Sequence, residues 1–253
     1  MMPSALIFDV DGTLADTEEL HRQAFNGAFA RHGFNWRWNR DDYRHLLKIT
    51  GGKERIGHFI RSLRLDSQRE SQCLAEIGAI HQTKTALYTH NAASGRLQLR
   101  SGVARLIRDA TLQGVRLALA TTTSAANVQA LLTSTLGKDA LRQFDVVAAG
   151  DMVANKKPAP DAYLHVLERL QLAPEHCVAF EDSSNGLCAA TAAGIPTVVT
   201  PCQWTANEDF STAWLILPEL GDPGRPLPKA AAARLRQRWL CLDDLREARE
   251  HAA

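Results

Sequence analysis

The stretch ALIFDVDGT at residues 5–13 decides the fold class of this chain. Four apolar residues, rich in strand formers, run directly into two acids and a glycine turn. A short apolar run without polar alternation is typical of a parallel strand that is buried on both faces. We therefore expect the chain to open with an interior strand whose carboxyl end carries Asp9 and Asp11.

Similar apolar runs recur along the chain and alternate with segments of helical periodicity. The runs are at residues 115–120, 146–149, 177–180 and 196–200, and the helical segments between them are at 103–112, 159–170 and 186–193. Alternating strands and helices indicate a mostly parallel sheet covered by helices. The predicted fold class is α/β, with a Rossmann-like parallel sheet core.

Residues 17–95 differ, because they contain helical periodicity but no strand-like apolar run. We expect them to form an all-helical cap domain inserted into an α/β catalytic core made of residues 1–16 and 96–222. The remaining residues, 223–253, begin with a segment rich in proline and glycine. That composition predicts a C-terminal extension with a basic helix from Lys229 to the end, which is either a docking helix or, as we favour, a solvated extension.

The composition excludes several classes of protein. The 253 residues are 45% hydrophobic and 23% charged, which is enough for a large core, and the net charge of +1 lacks the basic excess of a nucleic-acid binder. No apolar stretch is long enough for a membrane span. Five widely spaced cysteines suggest neither a disulfide framework nor a zinc site. We expect a cytoplasmic monomer that acts on a small molecule, with neither nucleic acid nor a membrane as partner.

Polar residues stand where four of the predicted strands end. They are Asp9 and Asp11, then Thr121, then Lys157, then Glu181 with Asp182. The carboxyl ends of parallel strands converge on one edge of the sheet, so these side chains are expected to lie together. Carboxylates, a hydroxyl and a lysine at one point are suited to phosphoryl transfer assisted by Mg²⁺.

The acids of this set are the candidate metal ligands. Three carboxylates at one point repel one another unless a divalent ion and a lysine are present. Asp9, Asp182 and the backbone carbonyl of Asp11 would bind Mg²⁺, and Glu181 would bind it directly or through water.

The same residues suggest a reaction. An Asp9 carboxylate oxygen would form an aspartyl-phosphate, while Asp11 protonates the leaving oxygen and later deprotonates water. Lys157 and Thr121 would hold phosphate oxygens. Each residue alone has a structural alternative: a surface turn for the paired aspartates, a strand-end hydrogen bond for Thr121, a solvated position for Lys157 and a helix cap for the second acidic pair. Their order along the chain favours catalysis.

These motifs resemble those of the haloacid dehalogenase-like hydrolase superfamily. The four matching motifs are FDVDGTL at 8–14, Thr121, KP at 157–158 and EDS at 181–183. The resemblance spans residues 6–199 and implies Asp9 as nucleophile, Asp11 as general acid and base, Thr121 with Lys157 as phosphate clamp, and Asp182 as the last Mg²⁺ ligand. The insertion after the first motif looks like the cap of the phosphoglucomutase-like branch.

A narrower resemblance is to the CbbY-type xylulose-1,5-bisphosphate phosphatases. It rests on LADTEELHR at 14–22, TGGKERI at 50–56, ATTTS at 120–124 with Asn127, and GDMV at 150–153. The resemblance implies a sugar-bisphosphate substrate and a role in the Calvin cycle. There the enzyme removes an inhibitor of ribulose bisphosphate carboxylase and releases xylulose 5-phosphate and phosphate.

A bisphosphate needs a second anion site, for which the cap supplies candidates. Backbone amides at Gly51 and Gly52 can approach an anion closely, and Lys53 and Arg55 add positive charge. The other substrate-binding candidates are Glu18, His21, Glu54, Thr122, Thr123, Ser124 and Asn127, with Lys84 and Tyr43 as weaker ones that also have a structural interpretation. The structural alternatives are an interhelical turn with solvated bases, a solvated face of the first cap helix and a helix cap at Ser124.

Two rival functions remain at this stage. A β-phosphoglucomutase shares the core and the cap opening, including Thr17 and His21, but typically has a lysine where this chain has Ser124. A phospho-accepting receiver module uses a similar acidic site, although its acidic pair precedes the acceptor aspartate and it has no helical cap of this length.

Overall fold

The computed structural model, which describes residues 2–95 and 97–251, contains a six-stranded parallel sheet in the order β3-β2-β1-β4-β5-β6. The strands are β1 (Ala5–Phe8), β2 (Arg116–Ala120), β3 (Val146–Ala148), β4 (Cys177–Glu181), β5 (Thr197–Val199) and β6 (Leu215–Ile216). The strand predicted from the opening motif, β1, lies in the interior of the sheet and is fully buried. The predicted α/β fold class is confirmed.

The register of the central strands sets the position of the candidate site. Phe8 at the end of β1 pairs with Leu119 of β2 and with Phe180 of β4. Asp9 and Thr121 therefore leave the sheet at the same edge, beside the end of β4. The rings of Phe8 and Phe180 stack with centroids 4.5 Å apart and so pack the two strands together just before this edge.

Helices cover both faces of the sheet. They are α6 (Val103–Leu112), α7 (Ala125–Leu136), α8 (Asp161–Leu170) and α9 (Ser184–Ala192). Because side chains alternate along a strand, Leu6 and Phe8 join the hydrophobic layer of α6 and α7, whereas Ala5 and Ile7 join that of α8 and α9. The sheet is thus the middle layer of three.

Among the described residues, five further helices lie between β1 and α6 along the chain. They are α1 (Glu18–Arg31), α2 (Arg40–Leu46), α3 (Gly52–Ser62), α4 (Ser67–Ala75) and α5 (Ile77–Ala92). They share a hydrophobic core, rich in aromatic residues, to which Trp204 of the loop after β5 also contributes. Bridges from Ala15 to Asp11 and to Leu99 join the two chain segments that connect this helical region to the sheet. We propose that residues 17–95 form the cap.

No helix in the described ranges is both long and apolar enough to span a bilayer.

The C-terminal residues do not form the predicted α-helix from Lys229, and they are solvated only in part, since most of residues 223–239 are exposed but several apolar side chains are buried. Turns run through residues 229–239, and a 3₁₀ helix follows at Leu242–His251. Leu242, Leu245 and Ala248 are three residues apart, so a helix of three residues per turn places all of them on one buried face. The Arg105 guanidinium donates 2.7 Å to the Leu240 carbonyl and fastens this segment to α6. The extension therefore packs on the core through its apolar side chains.

Candidate active site

Lys157 is the centre of the cluster at the strand ends. Its Nζ lies 2.7 Å from Asp9 Oδ1, 2.6 Å from Glu181 Oε1 and 2.8 Å from the carbonyl oxygen of Ala120. The three ammonium hydrogens therefore all have protein acceptors. Burial disfavours the charged lysine, but the two carboxylates outweigh it and raise the pKa of Lys157. In this arrangement the lysine holds Asp9 in place.

Three buried acids, Asp9, Glu181 and Asp182, offer oxygens that all lie within 4.8 Å of one another. Burial raises the pKa of Asp9 to about 8, because Glu181 and Asp11 add to it and Lys157 only partly offsets it. Burial likewise raises the pKa of Asp182 well above its usual value. One lysine is not enough to stabilise three carboxylates. A hard divalent cation such as Mg²⁺ fits this donor set, since it prefers carboxylate oxygens and offsets their charge.

Two glycines leave room for these acids. Gly12 has φ +85°, and a Cβ there would lie 2.1 Å from Asp182 Oδ2. A Cβ at Gly186 would lie 1.8 Å from Glu181 Oε2. The glycine of the DVDGT motif is therefore required both by the turn and by the close approach of Asp182.

Asp11 points away from Lys157 and toward the cap. Its Oδ1 accepts hydrogen bonds from Thr17 Oγ1 at 2.6 Å and from His21 Nε2 at 2.9 Å. Although burial disfavours the charged form, the His21 ring and the Thr17 hydroxyl hold the pKa of Asp11 below its usual value. The two aspartates of the motif thus have different environments, as different roles require.

The cap continues this chain of contacts. Lys84 Nζ lies 2.7 Å from His21 Nδ1, and the His21 ring stacks on Tyr88 with centroids 4.1 Å apart. An ammonium group can only donate, so Nδ1 accepts and Nε2 carries the hydrogen directed at Asp11. Burial lowers the pKa of Lys84 to about 8, although the negative charge of Asp11 opposes the shift. The alternative of a solvated helix face is wrong for His21, which is buried.

The segment after β2 contributes hydroxyl groups. Thr121 is buried, and its Oγ1 accepts a hydrogen bond from the Thr123 amide at 3.3 Å. Asn127 donates to Thr123 Oγ1 at 3.0 Å. Ser124 is the N-cap of α7, as its structural alternative predicts, although it also lines the pocket together with Thr122.

A pocket with an empty volume of about 860 Å³, including its open mouth, joins the strand ends to the cap. From the core it is lined by Asp9, Asp11, Thr121, Thr122, Thr123, Ser124, Asn127, Lys157 and Asp182. From the cap it is lined by Glu18, His21, Gly51, Gly52, Arg55 and Lys84. The structure thus brings most of the predicted site residues to one cavity.

Arg55 is the buried guanidinium of the cap side. It donates to the carbonyl oxygens of Leu46 and Ile49 at 3.1 and 3.2 Å, and to the Tyr43 hydroxyl at 3.1 Å. That hydroxyl in turn donates to Glu18 Oε2 at 2.7 Å. Within the described ranges no carboxylate lies within 4.0 Å of Arg55. Its charge is therefore open to an anion in the pocket.

Lys53 and Glu54 do not line this pocket, contrary to the sequence-based expectation. Lys53 Nζ instead lies 2.7 Å from Asp151 Oδ2, and Asp151 also pairs with Lys156 at 2.9 Å. The reason is the phase of α3, which begins at Gly52. Residues three apart share a helix face, so Gly52 and Arg55 face the pocket while the two residues between them face outward.

Sequence reasoning missed several residues in or near the pocket, and four of them make notable contacts. Thr205 and Glu208 come from the loop after β5, and Thr205 Oγ1 lies 3.3 Å from Asp182 Oδ2. His81 of α5 lies against Gly52, and burial lowers its pKa to about 4. Arg100 donates to the backbone carbonyl oxygens of Gly12, Thr200, Pro201 and Pro218. The sequence did offer one indication of Thr205 and Glu208, because both follow the predicted fifth strand.

Residues 3–194 match the model of the haloacid dehalogenase-like hydrolases. The chain belongs to this hydrolase family. The membership, together with the fold and the acid cluster, confirms the predicted enzyme and removes the receiver module from consideration. This family member is accordingly a phosphatase.

Within the family the chain is similar to proteins named CbbY. It is 50% identical to the plasmid-encoded CbbY of Cupriavidus necator over 242 residues, 96% of this chain and 95% of that protein. Crystal structures of CbbY from Rhodobacter sphaeroides in complex with phosphate, and of its aspartate-to-asparagine mutant in complex with xylulose-(1,5)bisphosphate, have TM-scores of 0.80. Each is 48% identical and covers 86% of this chain and 95% of that chain.

Proposed function

We propose that this family member hydrolyses xylulose 1,5-bisphosphate to xylulose 5-phosphate and phosphate, with Mg²⁺ as cofactor. One observation carries the proposal: Asp9, held by Lys157, and Arg55, buried and without a carboxylate partner, line the same pocket, the first from the strand ends and the second from the helical region. A pocket with a reactive carboxylate on the core side and a cation on the cap side suits a substrate with two phosphates. The choice of sugar is supported by the similar chain crystallised with that compound.

The metal ligands of the proposal are the acids of the strand ends. Asp9, Asp182 and the backbone carbonyl of Asp11 would hold Mg²⁺, with Glu181 as a further ligand or a partner of bound water. The cation supplies positive charge that lets the carboxylates and a phosphate group approach each other.

In the first step, an Asp9 oxygen attacks phosphorus and the bond from phosphorus to the sugar oxygen breaks. The leaving oxygen takes a proton from Asp11, and the phosphate remains on Asp9 as an aspartyl-phosphate. Lys157 keeps the attacking carboxylate oriented through its 2.7 Å contact, and Thr121 is placed to donate to a phosphate oxygen.

In the second step, Asp11 takes a proton from water, the water oxygen bonds to phosphorus, and the bond to Asp9 breaks. The hydrogen bonds from Thr17 and His21 favour the carboxylate form of Asp11, which is the form that this step needs. The first step needs the protonated form. We therefore expect one of these two bonds to be released when Asp11 takes up its proton.

The distal phosphate is assigned to Arg55 and Lys84 in place of Lys53. Both side chains are buried, both line the pocket, and both carry charge toward it. The amides of Gly51 and Gly52, at the N-terminus of α3, add donors that no side chain of their own covers.

A substrate panel tests the function. Phosphate release from xylulose 1,5-bisphosphate, from sugar monophosphates and from a generic phosphate ester should be measured with and without Mg²⁺. The bisphosphate should have the highest kcat/KM, and all turnover should stop when Mg²⁺ is chelated.

The mutase alternative is tested with β-glucose 1-phosphate and a bisphosphate primer. Substantial formation of glucose 6-phosphate would replace the phosphatase proposal with that of a phosphotransferase. If the proposal holds, the protein acts in the cytoplasm, as a monomer, by removing an inhibitor of ribulose bisphosphate carboxylase.

A further inference from the structure

The loop after β5 leaves the sheet and enters the helical region. Trp204 is buried there among the aromatic residues of α1 and α2. Its ring meets Tyr43 edge-on at 5.6 Å, and the Arg40 guanidinium lies 5.0 Å from its centroid. A residue of the core sheet's own loop is thus part of the hydrophobic core of the proposed cap.

The next residue in this loop touches the acid cluster. Thr205 Oγ1 accepts a hydrogen bond from the Cys202 amide at 3.0 Å and lies 3.3 Å from Asp182 Oδ2. A hydroxyl has one hydrogen, and the amide contact uses a lone pair. The hydrogen has two acceptors within reach, Asp182 Oδ2 at 3.3 Å and Cys202 Sγ at 3.5 Å. A carboxylate is a much stronger acceptor than a thiol sulfur, so the hydrogen is directed at Asp182.

The amide contact alone has a structural explanation. Thr205 closes a turn, because its backbone amide donates to the Cys202 carbonyl at 3.1 Å while its hydroxyl accepts from the Cys202 amide. A turn accounts for a side-chain acceptor at this position. It does not account for the donor directed at a buried acid of the cluster.

We propose that Thr205 is a positioning residue for Asp182. We also propose that Trp204 makes this positioning depend on where the aromatic cluster of the cap lies relative to the sheet. Partners of a metal-binding carboxylate orient it for the ion, and their loss typically weakens metal binding. Trp204 is adjacent in the chain to Thr205, so a shift of the aromatic cluster moves the hydroxyl. The inference rests on the proposed metal site.

The role of Thr205 is tested by measuring Mn²⁺ binding directly, without substrate. The electron paramagnetic resonance signal of the free ion reports how much Mn²⁺ stays unbound. Thr205→Val should weaken Mn²⁺ binding roughly tenfold, and Thr205→Ser should restore most of it. Thr197→Val is the matched control, because Thr197 is equally buried but donates to the Ile195 carbonyl at 3.0 Å. It should keep wild-type affinity.

The outcomes separate the inference from the proposed function. If the wild type binds no Mn²⁺, or if Asp182→Asn binds it as well as the wild type does, the metal site and the inference both fail. If the wild type binds and Thr205→Val binds equally well, only the inference fails. Should Thr205→Val be too unstable to purify, Thr205→Ala replaces it in the same comparison.

A double-mutant cycle tests the second half. Trp204→Ala should weaken Mn²⁺ binding in the wild-type background and have little further effect in Thr205→Val, because both changes act through one hydroxyl. Additive losses, or unchanged affinity in Trp204→Ala, would overturn the dependence on the cap.

Discussion

Lys84 Nζ lies 2.7 Å from Nδ1 of His21, and His21 in turn reaches the Asp11 carboxylate through Nε2. A lysine of α5 therefore fixes which nitrogen of the histidine carries the hydrogen that Asp11 receives. The protonation state of Asp11, the proposed acid and base, therefore depends on the charge of Lys84, which contacts Asp11 only through His21.

The charge of Lys84 predicts a pH dependence. Burial lowers the pKa of Lys84 to about 8, so the ammonium form is lost as pH rises through that value. The neutral amine attracts the substrate anion less. At saturating Mg²⁺, kcat/KM should fall above about pH 8, approaching tenfold per pH unit.

Lys84→Met is the control for that limb of the profile. It should lower kcat/KM at neutral pH and flatten the decline above pH 8. An unchanged alkaline limb in Lys84→Met would assign the decline to another group.

The assignment of the distal phosphate to Arg55 and not to Lys53 is directly testable. Arg55→Lys should raise KM for the bisphosphate at least about tenfold, because a lysine loses the planar donor set. Lys53→Ala removes a half-exposed ion pair with Asp151, worth less than about 1 kcal/mol, and should change KM little. Steady-state kinetics with bisphosphate and monophosphate measure both. A larger effect of Lys53→Ala would return the distal phosphate to Lys53.

Asp9→Asn should abolish turnover without unfolding the protein. The side chain keeps its size, an asparagine oxygen can still accept from Lys157, and Lys157 keeps Glu181 as a charged partner. We expect kcat to fall by at least about 10⁴-fold and the free energy of unfolding to change by less than about 1 kcal/mol. Phosphate release and urea denaturation give the two quantities. Activity near the wild-type level would exclude Asp9 as nucleophile.

Arg100→Met should destabilise the protein strongly. The guanidinium side chain is only 9% exposed and donates to four backbone carbonyls from three loops, including that of Gly12. Leaving these carbonyls without a donor should cost about 3 kcal/mol or more in the free energy of unfolding. Urea denaturation measures it. Arg108→Met is the matched control, since Arg108 is a largely exposed arginine of α6, and it should have little effect.

The acids of the site were predictable because their positions follow from strand ends. Asp9 and Glu181 are each fixed by one short apolar run, and parallel pairing then brings them together whatever the loops do. The position of Lys157 was predictable as well, because it requires only that the loop after β3 stays at the same edge of the sheet.

The cap side of the pocket was less predictable, because the rotation of a helix about its axis decides which of its side chains face the pocket. Whether Lys53 or Arg55 faces the pocket depends on α3 beginning at Gly52, a boundary that the sequence leaves open by a residue or two. Thr205 escaped notice because a turn-forming threonine has no distinctive pattern. Arg100 gave no signal either, since its acceptors are backbone carbonyls that no residue type reveals.

The buried C-terminal segment has a consequence for how the domain is delimited. The stretch that matches the hydrolase family ends at residue 194, yet Leu240, Leu242 and Leu245 share a hydrophobic layer with Leu106 and with residues of β2 and β6. A chain shortened at the proline-rich segment would uncover that layer and present apolar surface to neighbouring molecules. The folding unit is thus longer than the family pattern, and soluble protein should be recovered only when the last 30 or so residues are kept.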